Sequence, residues 1–206
     1  MERAPKRHRV EIPRLTVVLD LDETLIHSEV VDLDLEEHAC PNSFYVTLDE
    51  FTKAGKKLLV RKRPFVHQFL LQASQLYDLV LFTAGVEPYA KAVISKLDVD
   101  GSLFKRLLFR PQCEVLENDQ YCKNLLVVDS NLERIVLVDN SPQSFAKTQL
   151  GNGLLIPSFF RNDQDFALVR LAQLLGFLNQ QHDVRFALPH MAKLERIVNM
   201  PVNIAL

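Results

Sequence analysis

The chain has 206 residues, 48% of them hydrophobic and 24% charged, enough for one soluble domain with a sizeable core. Lys and Arg number 24 against 26 Asp and Glu, and the formal net charge of -2 excludes the broad positive field of a general nucleic-acid binder. Three cysteines (Cys40, Cys113, Cys122) are too few and too irregular for a disulfide framework or a zinc site, and read as buried free thiols in a reducing compartment.

Residues 1–14 are predicted to be a disordered basic arm, with Arg3, Lys6, Arg7 and Arg9 and no apolar h-region of a secretory signal. No run approaches the ~20 apolar residues needed to span a bilayer, so no membrane span is expected. Residues 15–206 read as a single domain. Within it, residues 16–21 (TVVLDL) form a short aliphatic run typical of a buried strand. Residues 44–49 and 57–61 flank a turn around Gly55 and predict a hairpin. Pro64 opens a helix with Phe65, Phe69, Leu70 and Leu76 on one face. A strand over 78–83 (DLVLFT) and a helix over 89–97 behind Pro88 follow.

From 107 to 123 the pattern turns to short β-like segments, with Glu117, Asn118 and Asp119 at a hairpin tip. Residues 134–139 (RIVLVD) predict a third core strand and residues 153–156 a fourth. A helix is expected over 165–178, with Phe166, Val169, Leu174, Leu175 and Phe177 as its apolar positions, and a shorter one over 191–198. The alternation of strand and helix predicts an α/β domain with a mostly parallel sheet.

Three of these strands end in polar residues that packing does not require: Asp20-Leu21-Asp22-Glu23-Thr24, Phe82-Thr83-Ala84-Gly85 and Val138-Asp139-Asn140-Ser141. Ligands of open α/β sheets bind beyond the carboxyl ends of the strands, so the three can converge on one site. Thiolate chemistry is not supported, because the sixth residues after the cysteines are Val46, Asp119 and Val128, with no Cys-x5-Arg loop. Phosphoryl transfer fits instead. Carboxylates repel a phosphate dianion unless a magnesium ion sits between them. Asp20 then serves as nucleophile and metal ligand, and Asp22 protonates the leaving oxygen and later activates water. Thr24 holds the loop through its hydroxyl, and Thr83 and Lys123 are candidates to bind the phosphoryl oxygens. Taken alone, Asp139-Asn140-Ser141-Pro142 equally suits a turn. His27 reads as structural, and the run Arg61-Lys62-Arg63 as a surface approaching the helix.

The segment Asp20-Leu21-Asp22-Glu23-Thr24-Leu25, followed by Ile26-His27-Ser28, resembles the signature of haloacid-dehalogenase-type phosphatases. More narrowly it is similar to the FCP/SCP branch, which includes the RNA polymerase II CTD small phosphatases and the nuclear-envelope, Dullard-like phosphatases. The likeness continues in colinear order over about 16–186, through Lys62-Arg63-Pro64, Leu81-Phe82-Thr83-Ala84, Tyr89-Ala90, Phe109-Arg110, Tyr121-Cys122-Lys123 and Val138-Asp139-Asn140-Ser141-Pro142.

The resemblance implies a Rossmann-like parallel sheet flanked by helices, with a small antiparallel β insertion near 107–123 beside the site. It implies Asp20 as nucleophile, Asp22 as acid/base, and Thr83 and Lys123 as phosphate-binding residues. Asp139 and Asn140 complete a Mg2+ site with Asp20 and with Asp22, the last through its backbone carbonyl. Tyr89 and Arg110 fall where the family contacts bound phosphopeptide. The implied activity is that of a phosphoprotein Ser/Thr phosphatase with an aspartyl-phosphate intermediate, for which the polymerase CTD is one substrate, in the nucleus or cytoplasm.

Two departures bear on serine–proline preference and leave the chemistry untouched. Val30 stands where small CTD phosphatases carry an aromatic residue of a proline-accepting pocket, and Gly85-Val86-Glu87-Pro88 is an unusual loop. Two other functions compete: a phosphatase-fold module that recruits partners, as in mitochondrial import receptors of similar fold, and a small-metabolite phosphatase.

Overall fold

A computed structural model of the protein describes residues 13–34, 42–117, 119–145 and 147–191. The predicted basic arm lies outside the described residues apart from Pro13 and Arg14, as do Cys40 and residues 192–198 of the predicted last helix.

The elements run β1 (Thr16–Leu19), β2 (Ile26–Asp32), β3 (Ser43–Val46), α1 (Asp49–Lys53), β4 (Lys56–Lys62), α2 (Val66–Leu76), β5 (Asp78–Phe82) and α3 (Glu87–Leu97). Then come β6 (Phe104–Leu108), β7 (Glu114–Val115), β8 (Tyr121–Cys122), β9 (Ile135–Asp139), β10 (Gly153–Leu155), α4 (Ala167–Leu178) and α5 (Val184–Met191). Five strands form a parallel sheet in the order β10-β9-β1-β5-β6. β2, β4 and β3 form an antiparallel sheet with β4 central, and β7 pairs antiparallel with β8.

β1 is central because both of its faces and both of its edges can be covered. Val17 and Leu19 point into a large core shared with Leu79, Leu81, Val136 and Val138, to which α2, α3, α4 and α5 contribute. Val18 points the other way, with Val80, Phe82, Ile135 and Leu137, into a smaller core closed by Leu125, Val128, Leu132 and Phe145. Alternate residues of one strand thus feed two cores, as the period of two requires. Strands buried on both faces read as unbroken aliphatic runs, which is why β1, β5 and β9 match their predicted positions.

Other predictions are corrected at the edges of elements. Phe65 precedes α2 in a left-handed conformation (φ 66°) and is 40% exposed, and Leu76 is 56% exposed. The core face of α2 is instead Val66, Phe69, Leu70 and Ala73. Phe166 and Phe177 are likewise half-exposed, while Leu168, Leu171, Leu174, Leu175 and Leu178 bury α4. Leu107 and Leu108 belong to β6 in the main sheet, and the antiparallel pair beside the site is β7 with β8. α5, over Val184–Met191, was not predicted as a helix. The predicted hairpin exists as β3 and β4, but with the short helix α1 inside its connection, and β2 was not predicted as a strand.

Arg63 overturns its sequence reading. It is 1% exposed, not a surface residue. Its guanidinium donates to the carbonyls of Thr24 and Pro157 and to both oxygens of Asp165, so one side chain joins the loop after β1 to the start of α4. Arg134 does similar work at the other end of α4, donating to the carbonyls of Leu178 and Asn179 at the helix C-terminus.

Candidate active site

Because β1, β5 and β9 are parallel neighbours, their carboxyl ends lie side by side. Asp20 follows β1, Thr83 follows β5, and Asp139 closes β9. Backbone bonds extend the pairing into the loops: Asp20 N–H donates to the Val138 carbonyl at 3.0 Å and Thr83 N–H to the Leu108 carbonyl at 3.0 Å. The polar strand ends therefore face one cleft of about 590 Å³, whose lining includes Asp20, Asp22, Thr83, Lys123, Asp139 and Asn140. Tyr89 and Arg110 lie on its wall and rim.

Lys123 arrives from a different direction. It follows β8, and its N–H donates to the Ser144 carbonyl at 2.8 Å, pinning the small hairpin to the loop after β9. Its side chain is buried, with Nζ 2.5 Å from Asp20 Oδ1 and 2.6 Å from Asp139 Oδ2. An isolated lysine in a sequence normally implies a solvated face. Here the ammonium lies between two buried carboxylates, a placement that only the fold reveals.

The charges are unbalanced: three acids, Asp20, Asp22 and Asp139, share one ammonium. Burial pushes the Asp20 carboxyl up to about 7; Lys123 pulls against that rise and Asp139 adds to it. Burial likewise raises Asp22, opposed by the hydrogen bond from Tyr89. For Lys123, burial disfavours the charged form, but the two carboxylates outweigh it and the net direction is upward. Cys113, beside the site, has its thiol pushed up to about 11 by burial, so it is protonated at neutral pH.

The neighbouring side chains hold this set in place. Thr24, fully buried, directs its hydroxyl to Asn140 Oδ1 at 3.4 Å, and Asn140 Nδ2 donates to Ser158 Oγ at 3.0 Å. Ser141 N–H donates to Asp139 Oδ1 at 2.8 Å. The Thr83 hydroxyl accepts from Gly85 N–H at 2.9 Å, so its own proton can be donated into the cleft. Tyr89 donates to Asp22 Oδ1 and is also bonded to Ser28 Oγ at 2.6 Å. Arg110 donates to the Ala84 carbonyl at 2.6 Å and stacks over the Tyr121 ring at 5.1 Å.

His27 bonds Glu23 through Nδ1 at 3.0 Å and faces Glu29 at 3.4 Å through Nε2, away from the catalytic carboxylates. Ser28, Tyr121 and Ser158 were not singled out from sequence. Tyr121 and Ser28 had a signal, their places in Tyr121-Cys122-Lys123 and Ile26-His27-Ser28, whereas nothing local marks Ser158.

Among the described residues no group of three or more His, Cys, Asp and Glu side chains is arranged to hold a metal. The donors expected from the sequence are all oxygen, the carboxylates of Asp20 and Asp139, the Asn140 carboxamide and the Asp22 backbone carbonyl, and the four residues line the same cleft. Oxygen-only donors with room for water, beside uncompensated negative charge, fit Mg2+.

This fold and site define a phosphatase of the haloacid-dehalogenase superfamily, FCP/SCP type. Residues 15–185 match the NLI interacting factor-like phosphatase family, and the chain belongs to it. It is 38% identical over 196 residues to the CTD nuclear envelope phosphatase 1 homolog of Drosophila melanogaster, covering 93% of this chain and 79% of that one. It is 35% identical over 187 residues to CTD small phosphatase-like protein 2 of Dictyostelium discoideum, covering 91% of this chain and only 30% of that longer protein. The fold is that of Fcp1, an RNA polymerase II CTD phosphatase, with a TM-score of 0.67 at 19% identity over 86% of this chain and 70% of that one. No helix among the described residues is long and apolar enough to cross a membrane.

Proposed function

We propose that the protein is a Mg2+-dependent phosphoprotein phosphatase acting on seryl or threonyl phosphate through an aspartyl-phosphate intermediate. The observation that carries this reading is the Lys123 ammonium held between the carboxylates of Asp20 and Asp139, with Asp22 two residues further on.

An oxygen of Asp20 attacks phosphorus as the bond to the leaving oxygen breaks. The leaving oxygen takes its proton from Asp22, whose raised affinity for a proton suits a general acid. The same carboxylate then takes a proton from the water that hydrolyses the acyl phosphate, returning Asp20 and inorganic phosphate. Thr83 and Lys123 donate to the phosphoryl oxygens, and Lys123 offsets their charge. Mg2+, held by Asp20, Asp139, Asn140 and the Asp22 carbonyl, supplies the positive charge that lets a carboxylate approach a phosphate dianion.

A protein substrate is supported by a second cavity of about 890 Å³ that adjoins the first. Leu48, Leu58, Val86 and Pro88 give it an apolar wall, Asp49 and Glu50 also line it, and Val86 and Tyr89 are shared with the catalytic cleft. A phosphopeptide can therefore seat its phosphate at Asp20 and a neighbouring apolar residue here, with Arg110 and Tyr89 along its path. Val30 is 56% exposed and does not line this cavity, so the apolar wall is built without the aromatic residue of the small CTD phosphatases. The names of the relatives make the nuclear envelope the place to look for the protein.

The test is Mg2+-dependent hydrolysis of p-nitrophenyl phosphate and of phosphoseryl peptides by the wild type and by Asp20→Asn. The variant is expected to lose at least about three orders of magnitude in kcat. Full activity in Asp20→Asn would remove that residue from the mechanism. Binding of phosphoprotein without turnover by the wild type would favour a recruiting module.

A further inference from the structure

Ser28 lies on β2, in the three-stranded sheet, paired with Val60 of β4. It bears no charge; it borders the second cavity and reaches the Asp22 carboxyl through Tyr89 on α3. The Tyr89 hydroxyl is 2.6 Å from Ser28 Oγ and donates to Asp22 Oδ1. Three elements from two sheets and a helix thus meet in one line of hydrogen bonds.

A phenol carries one proton. With that proton directed to Asp22, the bond between Ser28 and Tyr89 must run with Ser28 as donor. The line therefore has one direction: Ser28 O–H to Tyr89 oxygen, and Tyr89 O–H to Asp22 Oδ1. A phenolic proton prefers the plane of its ring and has two orientations there. The Ser28 proton blocks one of them and holds the other, toward Asp22. The carbonyl oxygen of a protonated carboxyl is a better acceptor than its hydroxyl oxygen, so the Tyr89 bond on Oδ1 favours the acid proton on Oδ2.

We propose that Ser28 is a positioning residue for Asp22, acting through the Tyr89 hydroxyl to fix which carboxyl oxygen holds the proton passed to the leaving group. The inference rests on the reading of Asp22 as general acid. In the step it serves, an oxygen of Asp20 bonds to phosphorus as the bond from phosphorus to the seryl oxygen breaks. The seryl oxygen takes the Oδ2 proton, giving a neutral serine side chain and an Asp22 carboxylate that keeps the Tyr89 hydrogen bond on Oδ1.

Leaving groups differ in their need for that proton. A nitrophenolate departs without one, whereas a seryl oxygen does not. The experiment is single-turnover release of the leaving group, with enzyme in saturating excess over each substrate so that peptide binding does not enter the rate, and Mg2+ present, from p-nitrophenyl phosphate and from a phosphoseryl peptide, read as the seryl-to-aryl rate ratio. Ser28→Ala is expected to lower the ratio about five-fold, the loss of one hydrogen bond, and Ser28→Thr, which keeps the hydroxyl, to hold it near the wild-type value. Asp22→Asn is expected to lower it about a hundred-fold or more.

An unchanged ratio in Asp22→Asn would overturn the general-acid reading and this inference with it. A lowered ratio in Asp22→Asn beside a wild-type ratio in Ser28→Ala would overturn the role of Ser28 alone. A fall in Ser28→Thr as large as that in Ser28→Ala would do the same, since it would report packing and not the hydroxyl.

Discussion

Arg63 and Asp165, 102 residues apart, meet in a two-pronged ion pair, Nε to Oδ1 at 3.0 Å and Nη2 to Oδ2 at 2.8 Å. The Arg63 side chain is fully buried and Asp165 is 12% exposed. Such a pair gains little over an apolar replacement of both partners, but removing one partner leaves a charge stranded. Arg63→Ala is expected to destabilise the protein by roughly 3–5 kcal/mol in urea unfolding. Arg63→Lys should recover only part of this, because an ammonium lacks the planar fork. Loss of only a few tenths of a kcal/mol in Arg63→Ala would mean that water replaces the guanidinium.

Lys123→Met should affect both chemistry and stability. It removes the ammonium between Asp20 and Asp139, so this buried pair is accommodated only by taking up a proton. The expected loss in kcat is about 10²–10³-fold. Stability at neutral pH, without Mg2+, should fall by about 3 kcal/mol or more. Saturating Mg2+ should restore part of the melting temperature, because a ligand that binds only the folded state stabilises it. No Mg2+ effect on melting in either wild type or variant would count against a metal at these residues.

Gly153→Ala tests the packing behind Lys123. A Cβ at this position would lie 2.7 Å from Phe145 Cδ1, inside van der Waals contact. Phe145 bridges to Lys123, so the clash acts on the segment that delivers the ammonium. About 1–3 kcal/mol of destabilisation is expected, with reduced kcat. Adding Phe145→Leu should recover part of both, and a double variant worse than the sum of its parts would contradict this account.

Glu29 supplies the pH dependence. Hydrogen bonds from Arg161 hold its carboxyl below the usual range, opposed by partial burial and helped by the charges of Arg161, Arg61 and His27. A depressed folded-state pKa contributes stability above the unfolded value, and that contribution is lost as pH falls through the folded value. Wild type should therefore lose more stability than Glu29→Gln between about pH 5 and pH 3, as followed by urea midpoints. Arg161 is 61% exposed, which limits the difference to about 1 kcal/mol or less. Parallel curves for the two proteins would show that the pair contributes nothing.

The readable part of this molecule was the part whose cause is local. Val17, Val18 and Leu19 announce a strand because both of its faces are dry, and the residues after it announce chemistry because packing has no use for them. The unread part depends on distant partners. Arg63 looked like surface because Asp165 and Pro157 lie about a hundred residues further on. Lys123 is legible as a site residue only through its motif, since its partner Asp20 lies 103 residues away in sequence. β2 escaped because Ile26–Asp32 mixes His, Ser and Glu with valines, and its burial comes in part from β4. Phe65, Leu76, Phe166 and Phe177 were assigned to the core because periodicity was carried past the turns that pack, where a helix end leaves an aromatic residue half in water.

The two halves of the active site rest on foundations of unequal strength. Asp20 extends from a strand bonded along both edges, with Val17, Val18 and Leu19 at 0% exposure, so its position fails only when the whole domain opens. Lys123 is delivered by a hairpin of two-residue strands, held to the main sheet's loop by its own N–H to the Ser144 carbonyl and the bridge to Phe145. Asp20 is fixed by the sheet itself, whereas Lys123 depends on a few local bonds.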